Sequence, residues 1–372
     1  MIIGIDASRA FLKQRTGIEE YSYQVIKHLR SELPATAEIV LYVRKKTSFH
    51  HGRLYLMGPE IDFPLPKNWR VRALWAPRFW TQIGLSFEML FHTPDVLFVP
   101  AHTVPVIHPK KTVVTIHGLE YEFCPEAYSL WERLYMRMSI RYSVRVASTV
   151  IAVSENTKKD VMKLYGVDEE KIRVVYEGYE KARSMKHETG IMNRVQKPHL
   201  LFIGRLEERK NVMRTIEAFE ILKDRYQILQ ELLLVGKPGY GYQKIRFKIQ
   251  NSKFKNHIHE LGYVSEEEKW ELLKNTDIFL FPTLYEGFGI PVLEAQSVGV
   301  PVVTSSTSSL PEIAGQGAVF VDPLSSENIA LGVQSVLSDE GRRSDIIEKA
   351  AHNVNRFGWA LCARGVASLL RR

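Results

Sequence analysis

Two glutamates, Glu286 and Glu294, stand eight residues apart in FPTLYEGFGIPVLEAQSVGVPVV, residues 281–303, with Gly287 and Gly289 between them. The apolar run Ile278–Phe281, stopped by Pro282, predicts a strand. Pro291 near the start, then Gly299 and Pro301 past the end, predict a short helix. A strand, a glycine loop and a helix N-terminus cradle anions, because unpaired N–H groups and the helix dipole face the ligand. Two carboxylates would repel a phosphate there. They suit hydroxyls instead, such as those of a ribose and of a sugar, so the combination points to a nucleotide-sugar site.

A second constellation is GRLEERKN, residues 204–211. Gly204 makes a turn after an apolar run, and Arg205 and Lys210 stand beside a predicted helix start. The arginine can bind a diphosphate bidentately and the lysine as a point charge. The spacing is not GxGxxG, and no GxxxxGK[ST] occurs, so neither a dinucleotide fingerprint nor a P-loop is indicated. No DxD-like pair of acids is present either. His257 and His259, read as lying on opposite strand faces without further ligands, do not make a metal site.

These residues need a scaffold, and the chain supplies one twice. Residues 1–180 alternate apolar strand candidates with helices: MIIGID, Ile39–Val43, Val96–Val99, Thr112–Ile116, Thr149–Val153 and Ile172–Val175, with helices over 128–147 and 155–164 among others. A polar stretch around Tyr179–Pro198 reads as a linker. The alternation then resumes at His199–Ile203, Leu232–Val235, His257–Leu261, Ile278–Phe281, Val300–Thr304 and Ala318–Val321. The strand runs are continuously apolar, as in parallel sheets covered on both faces. The expectation is an α/β chain of two doubly wound, Rossmann-like domains, 1–180 and 181–355, the second carrying the nucleotide-sugar loops. The amphipathic stretch 356–372 is expected to return to the first domain as a helix.

Composition limits the alternatives. With 372 residues, 45% hydrophobic and 25% charged, the chain is of ordinary globular type. Two cysteines, Cys124 and Cys362, give no disulfide framework. No signal peptide precedes MIIGID and no apolar run approaches the ~20 residues of a membrane span, so a cytoplasmic location is expected. The net charge of +8 is uneven. Residues 1–180 hold 24 Lys/Arg against 20 Asp/Glu, residues 181–355 hold 22 of each, and the tail adds four arginines.

The string EGFGIPVLEA resembles the E-x7-E signature of glycosyltransferase family 4, whose members are retaining enzymes of the GT-B fold. GRLEERKN is similar to that family's diphosphate-binding turn, VIAVSENTKKDV to its last N-domain strand and helix, and LPEIAG to a C-domain loop. The resemblance spans nearly the whole chain and implies two domains facing across a cleft. It implies that Arg205 and Lys210 hold the donor diphosphate after Gly204, that Glu294 binds the ribose, and that Glu286 binds the transferred sugar. The backbone at Gly287, Phe288, Gly289 and Ile290 would meet sugar and phosphate, and Gly262, Tyr263 and Val264 the base. From the N-domain, Gly17 and His117 match a glycine loop and an active-site histidine. Gly118 follows the histidine where many relatives carry Asp, and Gly17 stands alone where many have a glycine pair. By this resemblance His117, Glu286, Arg205 and Lys210 form the catalytic set of a hexosyltransferase. The cations would offset leaving-group charge without a metal or other cofactor. The donor would be GDP- or UDP-linked, with mannose slightly preferred.

On the acceptor side, Lys67, Arg70, Arg72, Arg78, Trp69, Trp75 and Trp80 fall between Asp62 and Glu88 with no acid among them. Arg133, Arg137, Arg141 and Arg145 recur every four residues on one predicted helix, fanning over ~120° of its face. Bases interleaved with Trp suit anionic headgroups or a lipid diphosphate. The expectation is peripheral binding to the inner face of the plasma membrane and a glycan or lipid-diphosphate-linked acceptor in polysaccharide or lipopolysaccharide synthesis. The alternatives are another GT-B activity, such as an α-glucan synthase or a sugar-nucleotide epimerase, or a basic binding protein without catalysis. Nucleic acid is not an expected partner, because no RNA- or DNA-binding motif accompanies the charge.

Overall fold

A computed structural model describes residues 1–12, 14–50, 53–57, 61–75, 80–182, 189–195 and 198–371. Arg78 and much of the expected linker, residues 183–188 and 196–197, lie outside the described residues. The chain divides into two compact units. The first comprises Met1–Leu119, Leu134–Gly178 and Phe357–Arg372, and the second Glu120–Arg133 and Tyr179–Arg356.

The first unit is built on β1 (Ile2–Asp6), β2 (Glu38–Arg44), β5 (Trp69–Leu74), β6 (Val96–Val99), β7 (Lys111–Ile116), β8 (Thr149–Ala152) and β9 (Ile172–Val174). The intervening β3 (Lys46–His50) and β4 (Arg53–Met57) form a separate antiparallel hairpin. The main sheet is parallel, in the order β5-β2-β1-β6-β7-β8-β9. Its central strands are buried on both faces, as their unbroken apolar runs require. The first helix, Gly17–Glu32, starts on a Thr16 cap with Glu19 reaching back to it.

The C-terminal helix, Trp359–Arg371, packs on that first helix. Arg371 donates to Glu32 O at 2.6 Å, and the Trp359 ring stands edge-on to Tyr21. Gly178 makes the approach possible: a Cβ there would lie 2.3 Å from Trp359 N.

The second unit holds β10 (His199–Ile203), β11 (Glu231–Val235), β12 (Ile258–Gly262), β13 (Ile278–Phe281), β14 (Val302–Ser305) and β15 (Val319–Val321). They form a parallel sheet in the order β12-β11-β10-β13-β14-β15. Both sheets therefore reverse winding direction once, between β1 and β6 and between β10 and β13. In doubly wound sheets, ligands bind at that switch point, beyond the strand carboxyl ends.

Every expected strand is present, with ends within two residues of their expected places. Two readings are corrected. The stretch containing Trp69 and Arg72 is not an exposed basic surface throughout: Trp69–Leu74 is the edge strand β5, and Trp69 is only 6% exposed. His257 and His259 do not face opposite ways. His257 ends a short turn before β12 rather than lying on the strand, and the two rings lie 3.6 and 2.7 Å from the two carboxylate oxygens of Glu231.

Candidate active site

The switch point of the second sheet is where the two sequence constellations meet. After β10 the chain turns through residues 204–211, and after β13 it runs through Pro282–Gly289. Backbone and side-chain bonds stitch these loops together. Asn211, held at a φ of 60°, donates through Nδ2 to Pro282 O at 2.8 Å and Pro323 O at 2.6 Å. Leu284 N donates to Arg209 O at 3.0 Å.

Between them sits a buried cluster of charges. Lys210 Nζ is 2.5 Å from Glu286 Oε1 and lies over the Phe281 ring. Arg209 donates to Tyr285 O at 2.9 Å, reaches Glu286 Oε1 at 3.4 Å and pairs with Glu207 at 3.0 Å. Burial alone would raise the Glu286 carboxyl, but Lys210 and Arg209 more than offset it and hold it below the usual range. Burial pushes Lys210 down, and Arg209 adds to this against the pull of Glu286. The cluster is thus an ionised carboxylate between two cations, poised beside a glycine loop.

The glycine loop is pinned from the β14 side. Ser309 Oγ donates to Glu286 O at 2.9 Å and Phe288 O at 2.7 Å, while Ser308 Oγ accepts from Glu286 N at 3.1 Å. Gly289 caps the helix Ile290–Ser297 at a φ of 113°, where a Cβ would also meet Leu310 at 2.8 Å. That conformation leaves glycine as the fitting residue.

Glu294, on the same helix, is buried and receives Lys269 Nζ at 2.8 Å. Lys269 belongs to the helix Glu266–Asn275, which Ser265 and Glu268 cap reciprocally. Burial pushes the Glu294 carboxyl up against the pull of Lys269. Burial also opposes the Lys269 charge, but Glu294 and Glu266 outweigh it and keep the ammonium well above the ordinary lysine range. Just before this helix, Gly262 closes β12 at a φ of 68°, Tyr263 is exposed with Lys237 over its ring, and Val264 is buried.

Arg205 differs from its neighbours. It is exposed, lies along Gly239, and has no hydrogen-bonding or ionic partner among the described residues. It is the cation of this turn that remains available to an incoming anion. Arg209, Lys269, Ser308 and Ser309 were not read from the sequence. Arg209 adjoins Lys210 in the same motif and could have been. The partnership of Lys269 with Glu294 spans 25 residues and the strand β13, and no spacing rule announces it.

The remaining site residues, apart from Arg133 of the second unit, lie in the first unit. Gly17 opens the first helix, with free space where a Cβ would stand. His117 is nearly buried: Nδ1 is 2.8 Å from Glu177 Oε1, Nε2 is 2.7 Å from Pro100 O, and the ring meets Tyr21 edge-on. Both ring nitrogens are therefore engaged inside the unit. On the helix Leu130–Val146, Arg137, Arg141 and Arg145 are exposed, and Arg133 is half-buried. Trp75 is 60% exposed, and Trp131, at the start of that helix, 81%. Among the described residues, no helix is long and apolar enough to cross a membrane.

Comparison with known proteins places these features. Residues 15–183 match the family model described as Glycosyltransferase Family 4, and residues 189–353 the model Glycosyl transferases group 1. The chain is 26% identical over 371 residues to O-antigen chain mannosyltransferase B of Escherichia coli, covering 93% of each chain. It is 24% identical over 349 residues to O-antigen chain mannosyltransferase RfbU of Salmonella typhimurium, again covering 93% of each. Among solved structures, Anabaena Alr3699/HepE in complex with UDP and glucose superposes with a TM-score of 0.71 at 17% identity, covering 100% of this chain and 99% of that one.

Proposed function

The chain belongs to the family 4, group 1 glycosyltransferases, and on that premise we propose that it moves a hexose, mannose by preference, from a nucleotide-diphosphate sugar to a surface-polysaccharide acceptor with retention of configuration. The observation that carries this reading is the charge cluster at the second sheet's switch point: Lys210, Arg209 and Glu286 beside the glycine loop, with Arg205 free at its edge. The preference for mannose rests on the O-antigen mannosyltransferases it resembles.

The reaction breaks the anomeric C–O bond to the diphosphate, and the electron pair leaves on a phosphate oxygen. The acceptor hydroxyl oxygen bonds to the same face, and its proton passes to that departing oxygen. Charge grows on the diphosphate as the bond breaks, so a fixed lysine and an available arginine stabilise the transition state more than the ground state. Glu286, ionised between its cations, is suited to accept a hydrogen bond from a sugar hydroxyl. Glu294 is suited to accept two from a ribose. The basic, aromatic surface of the first unit supports peripheral attachment at the inner face of the plasma membrane.

NMR of the purified protein with GDP-mannose and, separately, UDP-glucose tests this reading. Release of nucleotide from one donor, with an α-linked product or α-hexose formed first, is expected. Release from neither donor, or a β-configured first product, overturns it.

A further inference from the structure

Arg209 grips three successive residues of the loop that carries Glu286. Its O accepts from Leu284 N at 3.0 Å, and its Nη1 donates to Tyr285 O at 2.9 Å and reaches Glu286 Oε1 at 3.4 Å. Its Nη2 donates to Glu207 Oε1 at 3.0 Å, and the side chain is only 13% exposed. A guanidinium is a planar fork that serves several acceptors in one fixed arrangement, so contacts of this kind orient a loop as well as offset a charge. Tyr285 is held from another side, by the Phe123 ring stacked on it at 4.6 Å with the planes 10° from parallel. Phe123 ends the short helix Glu120–Phe123, which belongs to the second unit.

The charges around the two cations are not shared alike. Burial opposes the Arg209 charge, but Glu286, Glu120 and Glu207 outweigh it and raise the guanidinium further above its ordinary range. Tyr128 and Cys124 face the same cluster, and burial first of all pushes both up, the Cys124 thiol to about 11, so neither is charged near neutral pH. Lys210 is placed differently. Its one hydrogen bond among the described residues is to Glu286 Oε1 at 2.5 Å. An ammonium has three N–H donors, so the others remain for a diphosphate. Once a diphosphate draws on that ammonium, Lys210 offsets less of the Glu286 charge. Arg209, with its fork committed to protein acceptors, does not divide itself in this way.

We propose that Arg209 is the positioning residue of this site: it holds Glu286 in place, counter-charged, when the donor diphosphate claims Lys210, so that the carboxylate facing the sugar and the cation facing the leaving group work at the same time. The inference rests on the glycosyltransferase reading and deepens it.

Donor turnover with GDP-mannose and UDP-glucose, followed across pH, tests it in wild type, Arg209→Gln, Arg209→Lys and the double variant Arg209→Gln with Glu207→Gln. The double variant keeps the net charge of the cluster and so protects the fold. In Arg209→Gln, kcat is expected to fall about 10- to 100-fold, the effect of one lost hydrogen bond to a charged group. Affinity for the nucleoside diphosphate alone should stay within about threefold, because Arg205, Lys210 and Glu294 are untouched. With one counter-charge gone the Glu286 carboxyl rises, so the acidic limb of kcat should move up by about one pH unit or more. The double variant should show the same movement. Arg209→Lys should return the limb toward its wild-type place but recover only part of the rate, since an ammonium lacks the fork. A fall in kcat without movement of the limb, nucleotide affinity falling in step with kcat, or variants as active as wild type overturns the inference. If Arg209→Gln does not fold, the double variant and Arg209→Lys decide by the same criteria. A wild type that turns over neither donor overturns the glycosyltransferase reading and this inference with it. Wild-type turnover with any of the contrary results overturns the inference alone.

Discussion

Replacing Lys269 with methionine isolates the least expected contact in the donor region. The Lys269–Glu294 pair is buried, with side-chain exposures of 13% and 10%, and its charges lie 2.8 Å apart. At an effective dielectric of ~20, such charges attract by about 6 kcal/mol, much of which offsets the cost of burying them. Methionine keeps the length and packing but leaves Glu294 buried without its counter-charge. The expected loss is about 3–5 kcal/mol at pH 8, measured by denaturant unfolding of the second unit's transition. The pH dependence carries the diagnosis. Burial already raises the Glu294 carboxyl. A carboxyl whose folded value is raised destabilises the fold while ionised and ceases to do so as pH falls through that raised value. Without Lys269 the folded value rises further, so the gap between variant and wild type should narrow from pH 8 to pH 5. Adding Glu294→Gln should close most of it at every pH. The same loss of the carboxylate should weaken nucleotide binding about tenfold or more, since a charged hydrogen bond is worth ~1.5–3 kcal/mol. A loss below 1 kcal/mol that does not vary with pH would refute the reasoning.

Three further outcomes are expected. Glu286→Ala leaves Arg209 and Lys210 buried and facing each other; a loss of about 3–5 kcal/mol should accompany abolished transfer, read by calorimetry and by donor turnover. His102 is buried and its imidazole is pushed down to about 3, chiefly by burial and then by Arg9 and His117. Its folded value lies below the unfolded one, so it favours the fold above pH ~6.5 and this support is lost as pH falls toward 3, by up to about 4–5 kcal/mol; His102→Asn should flatten the melting temperature of the first unit over that range. Gly178→Ala forces a Cβ against the backbone at Trp359, and should detach the C-terminal helix, seen as early cleavage after residue 356 in limited proteolysis.

Much of this architecture is legible in the sequence because the strands are buried on both faces. Their apolar runs stand out, and the punctuation around Pro282, Gly289 and Pro291 marks the loop and helix that carry Glu286 and Glu294. The edge strand Trp69–Leu74 was hidden because WRVRAL is half exposed and carries two arginines, so it reads as surface. Lys269 was hidden for a topological reason: its partner is set by where the helix after β12 lands, which no local pattern encodes. Ser308 and Ser309 look like ordinary loop residues until the loop they hold is placed beside them. A cavity of the first unit is assembled from six separate segments, and only the strand order brings Asp6, Trp80, Ala101 and Tyr135 together.

The central claim is that the second unit's switch point holds a nucleotide diphosphate, and thermal unfolding with millimolar GDP, UDP or ADP, in EDTA and again with magnesium, tests it most directly. A ligand at ~100 times its dissociation constant stabilises by ~2.7 kcal/mol, or several degrees for one domain. The account predicts such a shift in EDTA with one nucleotide, GDP if the donor is a mannosyl one, and its loss in Arg205→Ala and Glu294→Gln. No shift with any nucleotide in either medium, or a shift that both variants retain in full, would contradict it.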